Sequence, residues 1–269
     1  MRNPAQLLRF GALAAGLFAL VSFSTGPRNA QADAAQNDSL SPVLVELFTS
    51  EGCSDCPPAD AFLSTLDHAQ PIPNAQLIVL SEHVDYWDSD GWRDPYSSHD
   101  LTIRQQDYAN RFHLPSPYTP QMVVDGATQF VGSDEKTAFS DIKKAAAMHV
   151  VPIRLSAIGL IDDKHVRMHI DIGPAATSEE KVSGDVWVAL ADDSDESSVK
   201  AGENAGRVLS HVAVVRHISH VGKVKQGEFS AGSTLSTDGA NLRNLRIVAF
   251  AQQGLGGKIV ALGTARLPN

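Results

Sequence analysis

The first apolar runs after the N-terminal segment predict two buried strands with a helix between them. Residues 43–48 (VLVELF) and 77–80 (LIVL) are almost entirely apolar, and such runs are typical of strands covered on both faces. Between them, Pro57 and Pro58 fit only the first turn of a helix, whose apolar face comes from residues 61–66. This order predicts a β-α-β unit.

An insertion over 84–120 separates this unit from the next predicted elements. It contains the pattern of a helix over 99–112. Two short apolar runs then flank Asp125-Gly126, the strongest short hairpin signal in the chain, and residues 134–148 have the pattern of a helix. The predicted order of the N-terminal half is therefore β-α-β, a helical insertion and β-β-α.

From residue 151 onward the apolar positions follow a period of two. Val166, Met168, Ile170 and Ile172 alternate with charged or polar residues, which indicates a half-buried strand. Similar short runs recur to the end of the chain, separated by Gly, Asp, Ser and Asn. The pattern predicts an all-β, sandwich-like domain over 151–269.

Residues 1–32 have the composition of an export signal. Arg2 and Arg9 precede an uncharged run over 10–23, and the small residues of 30–32 (AQA) suit a cleavage site. The run is shorter than the roughly 20 residues that a membrane-spanning helix needs. We therefore expect a signal peptide, a periplasmic or secreted protein, and no stable membrane insertion after signal removal.

The composition and net charge exclude several classes of protein and partner. The 269 residues include 43% hydrophobic residues and 2 Cys, which is an ordinary globular composition. The net charge of −9 argues against nucleic acid and anionic membrane surfaces as partners.

The two cysteines, Cys53 and Cys56, are predicted to open the first helix. The N–H groups and the positive dipole end of a helix start lower the pKa of a thiol, whose thiolate attacks a disulfide before a second thiol resolves the product. We expect Cys53 to be the exposed attacking residue and Cys56 the buried resolving one. The alternatives are a metal-handling dithiol and an inert disulfide, although closing so short a loop contributes little stability. With the order of elements, this motif predicts a thioredoxin-like α/β domain over 42–150.

Glu46 lies in the first apolar run, seven residues before Cys53. A carboxyl group in a buried strand has a raised pKa and can exchange a proton with the resolving thiol. The alternative is a glutamate at the solvent end of the strand, paired with an arginine or a backbone group. Asp55, between the cysteines, and Glu46 both disfavour a thiolate, so we expect a weaker oxidant than DsbA-type proteins, with a reduction potential below about −120 mV.

Thr119-Pro120 directly precedes the predicted third strand. We expect a cis bond before Pro120 and contact between Pro120 and the cysteine pair, since the cis form of an X-Pro bond costs only about 0.5–1 kcal/mol. Trp87 and Tyr118 belong to a group of aromatic residues concentrated in the insertion. With Thr119 they are candidates for binding a substrate. The alternative is that these aromatic residues pack the inserted helix onto the sheet.

His83, near the end of the second predicted strand, offers one further ligand for a soft metal. Cys53, Cys56 and His83 would form a copper(I) site if they were close in space. A lone histidine is more often simply hydrogen-bonded, so the leading interpretation includes no metal and no other cofactor.

Four strings resemble the DUF1223 family of exported bacterial proteins, over nearly all of residues 42–266. In chain order they are VELFTSEGCSDCPPAD, HVDYWDSDGWRDPYSS, YTPQMVVDG and GENAGRVLSHVAVVR. The resemblance implies a thioredoxin-like fold and no particular activity. By this resemblance the cysteine pair of the family corresponds to Cys53 and Cys56 and its Thr-Pro-Gln motif to residues 119–121, while Asp55 stands where members often have a small polar residue.

The leading interpretation is an exported thiol-disulfide oxidoreductase that acts on exported protein thiols or disulfides, with an unidentified redox partner. The alternatives are a periplasmic copper(I)-binding chaperone and a non-catalytic thioredoxin-like binding module. In the C-terminal half, Glu203 and Arg207 of the string GENAGR are candidates to pair across a turn. The C-terminal domain either docks a partner or covers the active face.

Overall fold

A computed structural model describes residues 40–148, 150–173, 182–237 and 239–268. The predicted signal peptide lies outside these residues. Within them the helices are α1 (Pro57–Ala69), α2 (His99–Arg111) and α3 (Glu135–Ala146). The strands are β1 (Ser41–Thr49), β2 (Ala75–His83), β3 (Gln121–Val124), β4 (Thr128–Val131), β5 (Val151–Asp162), β6 (His165–Ile172), β7 (Asp185–Ser198), β8 (Val208–Lys223), β9 (Phe229–Ser236), β10 (Leu245–Gln252) and β11 (Ile259–Arg266).

These eleven strands form one mixed sheet, in the order β4-β3-β1-β2-β8-β7-β10-β11-β5-β6-β9. Strand β1 is parallel to β2 and antiparallel to β3. Strand β2 pairs in parallel with β8 through Ser81 and Val214. A strand from the C-terminal half therefore continues the sheet that the N-terminal half begins.

The predicted fold class, a thioredoxin-like α/β domain followed by a β-sandwich, is wrong. The described residues form a mostly β, 11-stranded mixed sheet with three short helices. The reason lies on the second face of β1 and β2, where Leu44, Ile78 and Leu80 pack in one buried cluster with Val248 and Phe250 of β10. Apolar periodicity identifies strands that are buried, but it does not specify which strands bury one another.

The first face of β1 is covered by α1 and α3. Leu47 packs in one cluster with Phe62 and Leu66 of α1 and with Ile142 of α3. Burial of an aliphatic or aromatic side chain of this size contributes about 1.5–3 kcal/mol relative to exposure. Because successive side chains of a strand point to opposite faces, Glu46 points away from α1.

The C-terminal strands bury a second cluster. Val166 and Ile170 of β6 pack in it with Val188 of β7 and Ile247 of β10. The alternation predicted for β6 is confirmed, because its side chains are buried at every second position.

Three local predictions are also confirmed. The inserted helix is α2, which begins after Ser98, whose hydroxyl accepts a hydrogen bond from the N–H of Asp100. Strands β3 and β4 pair antiparallel on either side of Asp125 and Gly126. Helix α3 begins after Asp134, its N-cap. Among the described residues, no helix is both long and apolar enough to cross a membrane.

Candidate functional site

Cys53 and Cys56 form a disulfide in the turn between β1 and α1. Cys56 is the N-cap of α1, and its carbonyl accepts a hydrogen bond from the N–H of Asp60 at 3.1 Å. The proline pair at 57–58 occupies the first turn, where a missing N–H leaves no intrahelical bond unmade. The disulfide therefore closes a short loop onto the N-terminal end of a helix, where the sequence predicts the cysteines.

Both cysteines are buried, so the expected exposure of Cys53 is wrong. Cys53 is 2% exposed and Cys56 is 0% exposed. Residues 199–207, which connect β7 to β8 and are here called the covering segment, explain this burial. The Asn204 side-chain amide donates hydrogen bonds to the backbone carbonyls of Glu51 and Cys53, both at 2.9 Å.

Glu203 and Arg207 of the covering segment do not pair with each other, and each has a different partner. The Glu203 carboxylate accepts a hydrogen bond from the N–H of Ser54 at 3.1 Å, and hydrogen bonds from the side chain and the backbone of Ser54 lower the pKa of Glu203. Arg207 donates to Oδ1 of Asn204 at 2.8 Å. In place of the expected pair across a turn, these contacts hold the segment over the cysteine loop.

Glu46 is buried, but its carboxylate contacts Arg104 and Tyr108 instead of the resolving thiol. Its carboxylate accepts hydrogen bonds from Arg104, with Nε at 2.8 Å, and from the Tyr108 hydroxyl at 2.6 Å. Arg104 also lies 3.5 Å from Glu82 and donates to Gln252 at 3.0 Å. Burial and the charge of Glu46 raise the pKa of Glu82. We call these five residues the arginine network; it lies on the face of β1 that points away from α1.

The Thr119–Pro120 bond is cis, as the sequence predicts. Pro120 is buried at the start of β3, and its carbonyl accepts a hydrogen bond from the N–H of Gly132 at 2.9 Å. A Cβ atom on Gly132 would lie 3.0 Å from Cβ of Ala59 and 3.2 Å from Cβ of Pro120. The glycine therefore permits close packing between Pro120 and the first turn of α1, the helix that begins beside Cys56.

Trp87 and Thr119 lie together beside the cysteine loop. Nε1 of Trp87 donates to the Thr119 hydroxyl at 2.8 Å, and a Cβ atom on Gly52 would lie 2.9 Å from Cβ of Trp87. The Tyr118 hydroxyl instead donates to Gln129 of β4 at 2.6 Å. Two of the three candidate substrate-binding residues are thus brought together next to the cysteines.

Five buried ionisable residues lie next to the cysteine loop, and we call them the acid–histidine cluster: Glu51, Asp60, His83, Asp94 and His211. Nδ1 of His83 lies 2.7 Å from the Asp94 carboxylate, and Nε2 of His211 lies 3.2 Å from the Glu51 carboxylate. The two imidazole rings meet edge to face at 4.6 Å. The N–H of Glu51 donates to Asp94 at 2.8 Å, which joins the two pairs.

The environment of the cluster shifts several pKa values. Burial alone would raise the pKa of Asp94, but the charge and hydrogen bond of His83, together with backbone N–H groups, lower it to about 2. Burial opposes a charge on His83, but Asp94 outweighs this effect and the pKa of His83 is raised. Burial raises the pKa of Asp60, and the histidines offset this only in part. The cluster therefore combines an ion pair with a carboxyl group that holds its proton more tightly than a solvated aspartate.

The alternative copper(I) ligands are engaged with other groups in this structure. Cys53 and Cys56 are bonded to each other, and Nδ1 of His83 contacts Asp94. In the part of the chain that the structure describes, no three His, Cys, Asp or Glu side chains are arranged to hold a metal ion.

Among the members of the cluster, the sequence predicts only His83 as a candidate site residue, yet it contains a signal for the others. Glu51 and Asp60 stand in the first of the four family-like strings, Asp94 stands in the second and His211 in the fourth. Each string taken alone predicts no common site for these polar residues, whereas the fold assembles them around one loop.

The family described as "Protein of unknown function (DUF1223)" matches residues 44–252. Among solved structures, the chain is similar to protein AGR_C_4864 from Agrobacterium tumefaciens, with 25% identity and a TM-score of 0.67 over 86% of this chain and 96% of that chain. It shares its fold with HBP35 of Porphyromonas gingivalis, with 13% identity and a TM-score of 0.59 over 86% of this chain and 77% of that chain. No curated protein matches the chain.

Proposed function

The chain belongs to the DUF1223 family, and we propose that it performs thiol–disulfide exchange through Cys53 and Cys56 on exported proteins. A substrate thiolate attacks Sγ of Cys53, the bond between the cysteines breaks, and Cys56 leaves as a thiolate that takes up a proton. A second substrate thiolate then attacks the substrate sulfur of the mixed disulfide, and Cys53 leaves. Two electrons pass from the substrate dithiol to the protein, and the reverse sequence reduces a substrate disulfide.

The observation that supports this proposal is the disulfide at the N-terminal end of α1. The two cysteines are separated by only three positions, so the bond removes little entropy from the unfolded chain and stabilises the fold weakly. The helix start favours the thiolate that forms when the bond opens. Such a bond is suited to opening and closing rather than to holding the fold together.

The covering segment limits access to the disulfide. A substrate sulfur can reach Cys53 only after the two hydrogen bonds from Asn204 have opened, each contributing about 0.5–1.5 kcal/mol. We propose that this local opening precedes exchange and that the substrate then lies beside Trp87 and Thr119.

Two carboxylates at the loop favour a low reduction potential. Asp55 is exposed between the cysteines, and Glu203 accepts the hydrogen bond from Ser54. Negative charge at these positions disfavours a thiolate and therefore the reduced form. The expected potential stays below about −120 mV, that of DsbA. Glu46 is not part of this effect, because Arg104 pairs with it.

The proposal is tested by equilibrating the purified protein with glutathione in metal-free buffer. We expect reversible exchange with a potential between about −120 and −270 mV. Cys53→Ser should abolish it, whereas Ser54→Ala, in the same loop, should leave exchange reversible because both cysteines remain. Absence of reversible exchange in the wild type would contradict the proposal.

A copper(I) competition experiment, run in parallel, distinguishes the oxidoreductase from the copper(I)-binding chaperone. Tight one-to-one binding of copper(I) without reversible exchange would contradict an oxidoreductase and favour the chaperone. Weak copper binding together with reversible exchange supports the proposal.

A further inference from the structure

Asp60 lies one helical turn after Cys56. Its N–H donates to the Cys56 carbonyl at 3.1 Å, and Cys56 itself has helical dihedral angles. Side chains four positions apart in a helix stand on the same face. Both residues are buried, since Asp60 is only 6% exposed. A carboxyl group in this position can exchange a proton with the Cys56 sulfur.

Three buried polar atoms around Asp60 lack a hydrogen-bond partner within the described ranges. They are Oδ1 of Asp60, Nε2 of His83 and Nδ1 of His211. Nδ1 of His211 lies 3.9 Å from Oδ2 of Asp60, just beyond hydrogen-bond distance. Leaving a buried polar atom unpaired costs about 1–3 kcal/mol, so a group of them in one place calls for a functional explanation.

The two histidines are held in fixed orientations by their other ring nitrogens. His83 contacts Asp94 through Nδ1, and His211 contacts Glu51 through Nε2. A carboxylate on one ring nitrogen determines which nitrogen remains available on the other side of the ring. The available nitrogen of His211 is the one that faces Asp60.

His211 links Asp60 to a second carboxyl group. The residue lies beside a cleft with Ser64 and His68 of α1 and Asp195 and Glu196 of β7, but its side chain is only 1% exposed. Nδ1 faces Asp60 and Nε2 contacts the Glu51 carboxylate, so both ring nitrogens face buried carboxyl groups. A proton can pass between these two carboxyl groups through this one imidazole.

We propose that Asp60 gives a proton to Cys56 when the disulfide opens and accepts it when the disulfide closes, while His211 passes the proton between Asp60 and Glu51. This inference rests on the proposed thiol–disulfide exchange. On opening, Cys56 leaves as a thiolate and takes the proton of Asp60. On closing, Cys56 returns its proton to Asp60, and its thiolate attacks Cys53 of the mixed disulfide and expels the substrate thiolate.

The surroundings of Asp60 suit this role. The groups that face it are Thr49 of β1, His83 of β2, Asp94 of the following segment and His211 of β8. Burial raises the pKa of Asp60 despite the two histidines, so it retains a proton at a higher pH than a solvated aspartate does. Such a group is a better donor to a leaving thiolate at moderately acidic pH.

The test follows the opening of the disulfide by dithiothreitol across a pH series, with the rate divided by the concentration of the dithiothreitol thiolate. Asp60→Asn keeps the size of the side chain and removes its proton. We expect the rate at acidic pH to fall roughly 10²-fold and the pH dependence of the wild type to be lost. Asp67→Asn, on the same helix but paired with Arg246, should keep the wild-type profile.

The outcomes distinguish the inference from the proposed function. Equal pH profiles for the wild type and Asp60→Asn, with reversible exchange in both, would overturn the inference alone. A wild type without reversible exchange would overturn both.

His211→Gln tests the second half of the proposal. It should slow opening less than Asp60→Asn does and keep the pH dependence, because Asp60 still supplies the proton but regains it more slowly. An unchanged rate would overturn the assigned role of His211.

A further measurement needs no variant to fold. The Asp60 carboxyl is titrated by carbon-13 NMR in the disulfide and dithiol forms of the wild type. We expect different midpoints, since the Cys56 thiol is present in only one form. Identical midpoints would overturn the role of Asp60.

Discussion

The two buried ionic groups of this protein lie on opposite faces of β1 and β2 and differ in kind. The arginine network surrounds a guanidinium that stays charged at any ordinary pH, and Glu46 accepts hydrogen bonds from both Arg104 and Tyr108. The acid–histidine cluster instead contains two histidines and no arginine. Unpartnered buried polar atoms occur in both groups, on Glu82 in the network and on Asp60 and the two histidines in the cluster. Similar burial thus accompanies a fixed cation on one face and imidazoles on the other. Under the proposed mechanism, this difference separates a structural network from a reactive one.

The largest expected effect comes from removing the fixed charge. Arg104→Met leaves Glu46 buried without its counter-charge, with only the Tyr108 hydroxyl still donating to it, so we expect a loss of about 3–5 kcal/mol in the free energy of unfolding, measured with urea. The glutathione potential should change little, because the network faces away from the cysteines. Arg93→Met is the matched control. Its free energy of unfolding should stay within about 0.5 kcal/mol of the wild type, since Arg93 is 89% exposed. A small stability change in Arg104→Met would break the comparison.

Asp94→Asn should lower the free energy of unfolding by about 2 kcal/mol near neutral pH, and by progressively less as the pH falls. The pKa of Asp94 is lowered to about 2 in the folded protein, below its ordinary value. Its ionised form therefore contributes stability that is complete above the ordinary pKa and is lost as the pH falls through about 2. Urea unfolding of wild type and variant over this range measures the difference. A difference that did not change with pH would show that Asp94 titrates normally.

The smallest expected effect is on the rate at which a reductant reaches the disulfide. Asn204→Ala removes two hydrogen bonds that hold the covering segment, so dithiothreitol should reduce the disulfide roughly tenfold faster, equivalent to about 1.4 kcal/mol. Glu203→Gln keeps an acceptor for the N–H of Ser54 and should change the rate less. Equal rates for wild type and Asn204→Ala would mean that the segment does not limit access.

Much of the local structure could be predicted from the sequence. The hairpin at Asp125 and Gly126, the cis bond before Pro120 and the position of the cysteine pair depend on neighbouring residues, whose conformational preferences are local. The pairing of β2 with β8 could not be predicted. A strand covered on both faces has the same apolar pattern whatever strand lies beside it.

The site was predictable only in part, for a similar reason. The spacing of Glu46 from Cys53 does not state which face of β1 the carboxylate occupies, and the structure directs it to Arg104. The burial of Cys53 depends on Asn204, which lies 151 residues further along the chain. Local patterns identify the reactive pair, whereas its surroundings depend on contacts between distant segments.

Those distant contacts also impose an order in time. Asn204 and His211 reach the cysteine loop across 151 and 160 residues of chain. During synthesis from the N-terminus, the cysteines therefore emerge well before the residues that close over them. In that interval the cysteines lack the segment that buries them in the folded protein. The later strands then enclose them, so the partly synthesised chain and the folded protein differ in the access they give to the same two sulfurs.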